Sequence, residues 1–418
     1  MNEEVKKHDP YSALRFKEFR YFFIARLLLT LAFQVQAIVI NWMAYEHTRD
    51  PWTLGLMGLI EALPIMIVSL FGGHYSDKFD RRKIIILFVF VLIAGSAFLT
   101  WFGHNGPEHL KAFGITPILL VVLIIGVARG FLGPAIPAFS AQLVPKEFYT
   151  NAATWNSTVW QLGAVTGPAI GGICYAKFGA SITSFVALIL MCATVVCYLL
   201  ITSKPVSEKL KEESLFESLA SGIKFVFKNQ IIISAITLDL FAVLFGGAVA
   251  MLPVFADQVL HVGPDGLGYL RAAPALGAVI TAVVLAYFPP VKNSGKKLLW
   301  CVALFGVSMI VFALSENFIL SFVILMLSGM FDSVSVVIRH TIIQIFTPDE
   351  MRGRVSSVNS IFIGASNEIG AFESGFAARI MGLIPSVIFG GVATLLVVAS
   401  ALKFAPALKN MHLQKHTN

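Results

Sequence analysis

Twelve stretches of this chain are each apolar for about 20 residues, the length a helix needs to cross the hydrocarbon core of a bilayer. They lie near residues 20–45, 53–76, 83–103, 116–141, 151–176, 181–202, 230–257, 266–288, 297–315, 318–346, 355–381 and 385–404 of the 418. Lipid offers the backbone no hydrogen-bonding partner, so each stretch must satisfy its own N–H and C=O groups by coiling into a helix. Membrane strands would instead alternate apolar and polar residues. Composition agrees: 57% of the residues are hydrophobic and 13% are charged, against about 25% charged in ordinary soluble chains. The expectation is an all-α membrane protein of twelve transmembrane helices. The first stretch begins near Arg20 with no small-residue cleavage pattern behind it, so it is expected to stay as an anchor.

The sites of the 31 Lys and Arg orient these spans. Only Arg49, Lys111, Lys177 and Arg379 fall in loops on one side, and Arg26, Arg129, Arg271 and Arg339 fall inside spans. All the others lie on the side of the two chain ends. Cytoplasmic loops hold the basic excess in multi-pass proteins, so both termini are expected in the cytoplasm of a cell whose inner membrane the chain spans. Topology thus accounts for the net charge of +7, and a nucleic-acid partner is not expected. The four cysteines, Cys174, Cys192, Cys197 and Cys301, sit in apolar segments without metal-ligand spacing and read as small core residues. Walker A, HExxH, GxSxG and CxxC patterns are all missing from the sequence, so neither an enzyme nor a cofactor or metal site is expected.

An internal repeat organises the spans. "VPKEFYTNAATWNSTVWQLGAVTGPAIGG" and "TPDEMRGRVSSVNSIFIGASNEIGAFESG" align without a gap at an offset of 203 residues. Pro145 matches Pro348, Glu147 matches Glu350, Asn156 matches Asn359, Gly167 matches Gly370 and Gly172 matches Gly375, while Gly126 and Gly329 extend the register upstream. The chain is therefore expected to form two pseudo-symmetric six-helix halves, 1–202 and 230–418. Between them, 203–229 forms a cytoplasmic linker. Leu215, Leu219, Ile223 and Phe227 recur every four residues there, the pattern of an amphipathic helix on the membrane surface. Two similar halves with a pathway between them are the geometry of alternating access.

Charges inside the spans mark the candidate site, because each costs roughly 2.5–3.5 kcal/mol at the centre of an inserted helix and is rarely kept without a partner or a purpose. The acids are Glu61, Asp239, Asp332, Glu368 and Glu373; the arginines are Arg26, Arg129, Arg271 and Arg339. Desolvation disfavours the ionised form of a carboxylate, which is the property a proton carrier needs. Asp239 and Glu368 are the leading proton-coupling candidates, with Glu61 and Asp332 behind them, and the competing reading is that each acid neutralises an arginine. Asp332 and Arg339 are two turns apart on one helix face, close enough for a shared network but not for a short contact. Gln34, Gln36, Asn41, Asn156 and Gln161 are candidates to line the same cavity or to join helices by hydrogen bonds.

Three motifs resemble those of the major facilitator superfamily. Gly73, Asp77, Lys78, Arg81, Arg82 and Lys83 match its signature between the second and third helices, with Asp80 in place of the usual second glycine. Asp tolerates a left-handed backbone, so the turn is expected to survive. Arg129 followed by Gly133 is similar to the fourth-helix motif, with Leu132 where Gln is usual. Gly163, Gly167, Pro168, Gly171 and Gly172 match the fifth-helix pattern GxxxGPxxGG of exporters and antiporters. Small residues every four positions let helices approach backbone to backbone, which serves packing and can also set the direction of transport. The segment Leu238 to Ala278 narrows the resemblance to the enterobactin-exporter and transmembrane secretion effector branch of bacterial efflux carriers.

The resemblance implies export of a small amphipathic molecule, siderophore-like or drug-like, and the intramembrane acids point to proton antiport; a monomer is expected, with substrate, protons and membrane lipid as its partners. The resemblance also implies that Asp77 helps latch the cytoplasmic side through the start of the eleventh helix. A partner for Arg81 is left open, with Glu147 the nearest acid. The alternatives are a proton-coupled importer of a nutrient and a non-transporting membrane receptor or assembly factor.

Overall fold

The computed structural model describes residues 11–204 and 215–411, apart from 247, 289, 291, 349 and 350. Every membrane segment is helical, and no strand occurs among the described residues. The first four spans are Lys17–Thr48, Pro51–Lys78, Arg81–His104 and Thr116–Gln142. A long helical stretch, Tyr149–Leu199, carries the fifth and sixth. The seventh begins as Gln230–Gly246, and Gly263–Tyr287, Ser294–Ala313, Phe318–Phe346, Arg352–Met381 and Leu383–Phe404 complete the twelve.

Among the described residues, ten helices are long and apolar enough to cross a membrane. One of these counts twice, because Gly179 breaks Tyr149–Leu199 with φ of 74°. Beyond that glycine the chain runs back: Ser181 Oγ donates to the Thr100 carbonyl at one end of the third span, and Arg82 Nε donates to the Tyr198 carbonyl at the other. The remaining span, Arg352–Met381, has 30 residues, ample for a crossing at 1.5 Å per residue. Asn359, Asn367, Glu368 and Glu373 lower its hydropathy.

The duplication is built into the packing. An added Cβ at Gly126 would meet the Glu61 carbonyl on the second span, and one at Gly329 would meet Pro274 on the eighth. Gly167 faces Gln34 of the first span as Gly370 faces Leu244 of the seventh. Gly172 lies against Gly268 of the eighth span as Gly375 lies against Gly55 of the second. The register continues past the aligned block: Gly382, at the same offset from Gly179, turns the eleventh span into the twelfth with φ of 90°. Only glycine visits such angles at little cost, so both hairpins rest on that residue.

The seventh span departs from the continuous helix that its hydropathy predicts. After Gly246 it passes through a tight turn, Ala248–Met251, a short helical turn with Pro253, and a π-turn, Phe255–Val259. Pro253 cannot supply the N–H that a regular helix needs, and a π-turn swings one residue out of register. That residue set includes Asp257, which reaches the first span.

In the linker, Leu215–Lys228 forms the expected helix. Gly222 and Val226 pack against the start of the eleventh span, and Ser221 accepts a hydrogen bond from Arg354 at 3.1 Å. Ile223 and Phe227 stay exposed.

Candidate functional site

Between the halves lies a cavity of about 860 Å³. Glu61, Arg129 and Arg26 reach it from one half, and Arg271, Asp332 and Glu368 from the other. Phe33, Trp160 and Phe305 give it apolar walls, and Gln34, Gln36 and Asn41 add polar ones. Its volume falls within the roughly 300–1,000 Å³ of sites for drug-sized ligands.

Contacts between the halves close the cavity on the face opposite the chain ends. Gly172 and Gly268 bring the fifth and eighth spans to backbone contact, and Gly55 and Gly375 do the same for the second and eleventh. Gly163, Gly167 and Gly171 of the glycine motif meet Thr30, Gln34 and Val35 of the first span, so one motif serves packing within a half and closure between halves. Pro168 contributes its carbonyl to the Gly268 crossing. Further out, Arg49 pairs with Asp257, Tyr45 Oη donates to Asp257 at 3.1 Å, and Trp52 packs on Phe372 and Phe376 beneath the Arg379 guanidinium. In the other direction the cavity extends past Met66 and Pro137 toward the face of the chain ends.

The intramembrane charges fall into three groups. Arg129 and Glu61 form an ion pair on the cavity wall, 44% and 26% exposed, and what they are exposed to is the cavity. Arg339 and Asp239 form a second pair, only 5% and 7% exposed, outside the main cavity. A small cleft that Asp332 also lines connects Asp239 to the cavity wall. The close ion pair of Arg339 is thus with Asp239 of the seventh span, and Asp332 of its own helix feels the same guanidinium without a close pair. Arg26, Arg271, Asp332 and Glu368 line the cavity without an ion pair among the described residues. By helix rise Glu368 sits about 24 Å from the start of its span, near the middle of the bilayer. Glu373 lies outside the cavity lining.

Of the amides, Gln34, Gln36 and Asn41 line the cavity, and Asn156 and Gln161 do not. Gln36 accepts from Ser96 Oγ at 2.9 Å, so it joins helices as well. Asn367, beside Glu368, lines the cavity too, and an uncharged amide next to an acid carries no separate signal in the sequence.

The signature loop is organised by carbonyls and caps. Arg81 donates through Nε to the Ser76 carbonyl at 2.9 Å and through Nη1 to the Ala138 carbonyl at 3.4 Å, which ties the loop to the end of the fourth span. Asp80 is not left-handed: with φ of −58° it is the N-cap of the third span, accepting from the Arg82 N–H at 2.9 Å. A capping carboxylate does here what a flexible glycine would otherwise do. Arg82 also donates to the carbonyls of Tyr198 and Leu199, and Lys83 follows within the first turn. An added Cβ at Gly73 would meet nothing within 4 Å. Asp77 and Lys78 close the second span, and the Asp77 side chain lies outside the described residues, as do the side chain of His74 and residue Glu350.

Twelve helices in two related halves, with a cavity between them closed on one face, define a multi-pass membrane transporter. Residues 8–417 match the family model described as transmembrane secretion effector, and the chain belongs to that family of the major facilitator superfamily. The enterobactin exporter EntS of Escherichia coli O1:K1 / APEC is 24% identical over 383 residues, 91% of this chain and 89% of its own. A D-xylose-proton symporter shares the fold with a TM-score of 0.74 at 14% identity, covering 97% of this chain and all of its own. A bacterial homologue of the human lysosomal transporter Spinster, solved inward-facing and unoccupied, superposes with a TM-score of 0.72 at 15% identity, covering 96% of this chain and 99% of that one.

Proposed function

We propose that this protein exports a small amphipathic compound, siderophore-like or drug-like, across the inner membrane in exchange for protons. The observation that carries the reading is the cavity between the halves, with its apolar walls, Glu368 near mid-membrane and the ion pair of Glu61 with Arg129 beside it. The relative named enterobactin exporter supports the direction. The loops rich in Lys and Arg lie on the face of the chain ends, which supports reading that face as cytoplasmic and the conformation as inward-facing.

In this cycle cargo enters from the cytoplasm and meets Glu368 in its ionised state. The halves rock about the cavity between them, and the Gly172/Gly268 and Gly55/Gly375 crossings separate as the cytoplasmic side closes. A proton from outside then takes Glu368, cargo leaves, and the protonated carrier returns and releases its proton to the cytoplasm, which leaves Glu368 ionised for the next cargo. Asp77 and the basic cluster act as the cytoplasmic gate in the closed phase, and Asp239 with Asp332 forms a second place where a proton can reside. Comparing the metabolites in medium from cells with and without the protein, under iron limitation and in rich medium, identifies the cargo. Inverted vesicles then test direction: they should accumulate that cargo when acidified inside, and accumulation in right-side-out vesicles instead would make the protein an importer.

A further inference from the structure

The cavity holds two positive and two negative side chains that form no close ion pair among the described residues. Of the four intramembrane arginines, Arg129 is matched by Glu61 and Arg339 by Asp239. Arg26 and Arg271 form no ion pair among the described residues, although the Glu61 charge reaches Arg271, and the Arg26 Nε is buried without a hydrogen bond. Asp332 and Glu368 are likewise unpaired. All four line the same cavity.

The two signs carry different chemical meaning. An unpaired carboxylate can be discharged by a proton, so its presence fits either proton carriage or a cationic ligand. A guanidinium cannot be discharged at any physiological pH. Keeping two of them in a cavity within the bilayer is costly unless something anionic visits. Arg271 stands roughly 12 Å by helix rise from the closed end of the eighth span, and Arg26 roughly 14 Å from the cytoplasmic end of the first. They come from opposite halves, at the floor and toward the mouth of the cavity. Glu61 feels the charges of both Arg271 and Glu368, so Arg271 and Glu368 share the surroundings of the Glu61 pair without pairing with each other.

We infer that the cargo is zwitterionic, with an anionic group held by Arg271 after passing Arg26 and a cationic group held by Glu368, beside an apolar body packed on Phe33, Trp160 and Phe305. The inference rests on the export reading for its place in the cycle and adds the substrate class. It also makes competition with protons a matter of charge. The cation of the cargo and the proton contend for one carboxylate, while the anionic group keeps its arginine and fixes the orientation.

The test is equilibrium binding to the purified full-length protein in nanodiscs, with three probes that share one fluorophore: Nε-dansyl-lysine, its methyl ester and N-dansyl-6-aminohexanoate. The zwitterion should bind about tenfold or more tighter than the cation or the anion. Arg271→Gln should bring it down to the affinity of the ester and leave the ester nearly unchanged, Arg271→Lys should keep most of the preference, and Glu368→Gln should bring it down to the affinity of the anion. Equal affinities, no binding of any probe, or a preference that survives both Arg26→Gln and Arg271→Gln would overturn the inference. Binding is read without a gradient, so failure here is distinct from failure of the export reading, which vesicle direction decides.

Discussion

Arg49 and Asp257, 208 residues apart in the chain, form an ion pair that ties the end of the first span to the π-turn of the seventh across the closed face. The pair joins one half of the transporter to the other on the closed face, opposite the open end of the cavity, and Tyr45 donates to the same carboxylate. Arg49 is 56% exposed, and exposed ion pairs contribute only about 0.2–1 kcal/mol. Asp257→Asn should therefore shift the conformational equilibrium away from the state closed on this face by roughly 1.4- to 5-fold without unfolding the protein. Distances between spin labels on the outer ends of the first and seventh spans would read the shift, and an unchanged distribution would remove the pair from the gate.

The glycine crossings set a steeper constraint. A Cβ at Gly172 would lie 2.5 Å from the Pro264 carbonyl and 2.8 Å from the Gly268 Cα, backbone atoms that cannot swing aside. Gly172→Ala should cost about 1–3 kcal/mol in this conformation, the usual range for overpacking, and favour opening of the closed face. Accessibility of a cysteine placed near Gly268 should rise accordingly. Gly73→Ala should leave thermal stability within about 0.5 kcal/mol, since nothing lies within 4 Å in this conformation. A loss of turnover in that variant would place the contact of Gly73 in the opposite phase of the cycle.

Asp239 and Arg339 are buried together, so removing either leaves a charge without a partner. Asp239→Asn and Arg339→Gln should each destabilise the protein by about 3–5 kcal/mol, and the double variant should recover much of that loss. Thermal unfolding in detergent measures it. Additive losses in the double variant would mean that the two residues do not act as a pair.

Glu368 is the acid expected to carry the proton that competes with cargo. Protonation removes the charge the cargo needs, so binding should weaken as pH falls, and Glu368→Gln should make binding weak and nearly independent of pH. Titrating affinity against pH in wild type and variant checks the sign. Glu61→Gln should differ by lowering stability as well, because Arg129 loses its counter-charge.

Much of this molecule is legible in its sequence, because lipid enforces a simple rule on the backbone. The spans follow from length and hydropathy, and the duplication from the glycines around Gly167 and Gly370. The cavity residues Glu61, Arg129, Asp332 and Glu368 follow from the cost of burying charge. Partner choice is where the reading runs out. Arg339 has Asp332 two turns away on its own helix, yet it selects Asp239, because helices of one half meet side by side and the near neighbour in space lies 100 residues away. The break in the seventh span is equally hidden. Gly246 and Pro253 are common in membrane helices, and nothing local tells a kink from a π-turn. At Asp80 a tolerated left-handed residue and an N-cap have the same sequence, and only the backbone angles separate them.

Accumulation in inverted vesicles tests the central claim most directly, once the medium comparison has supplied a cargo. The account predicts that vesicles acidified inside accumulate that cargo, that collapsing the pH gradient abolishes accumulation, and that Glu368→Gln vesicles do neither. Accumulation that persists after the gradient is collapsed, or that occurs only in right-side-out vesicles, would contradict proton-driven export.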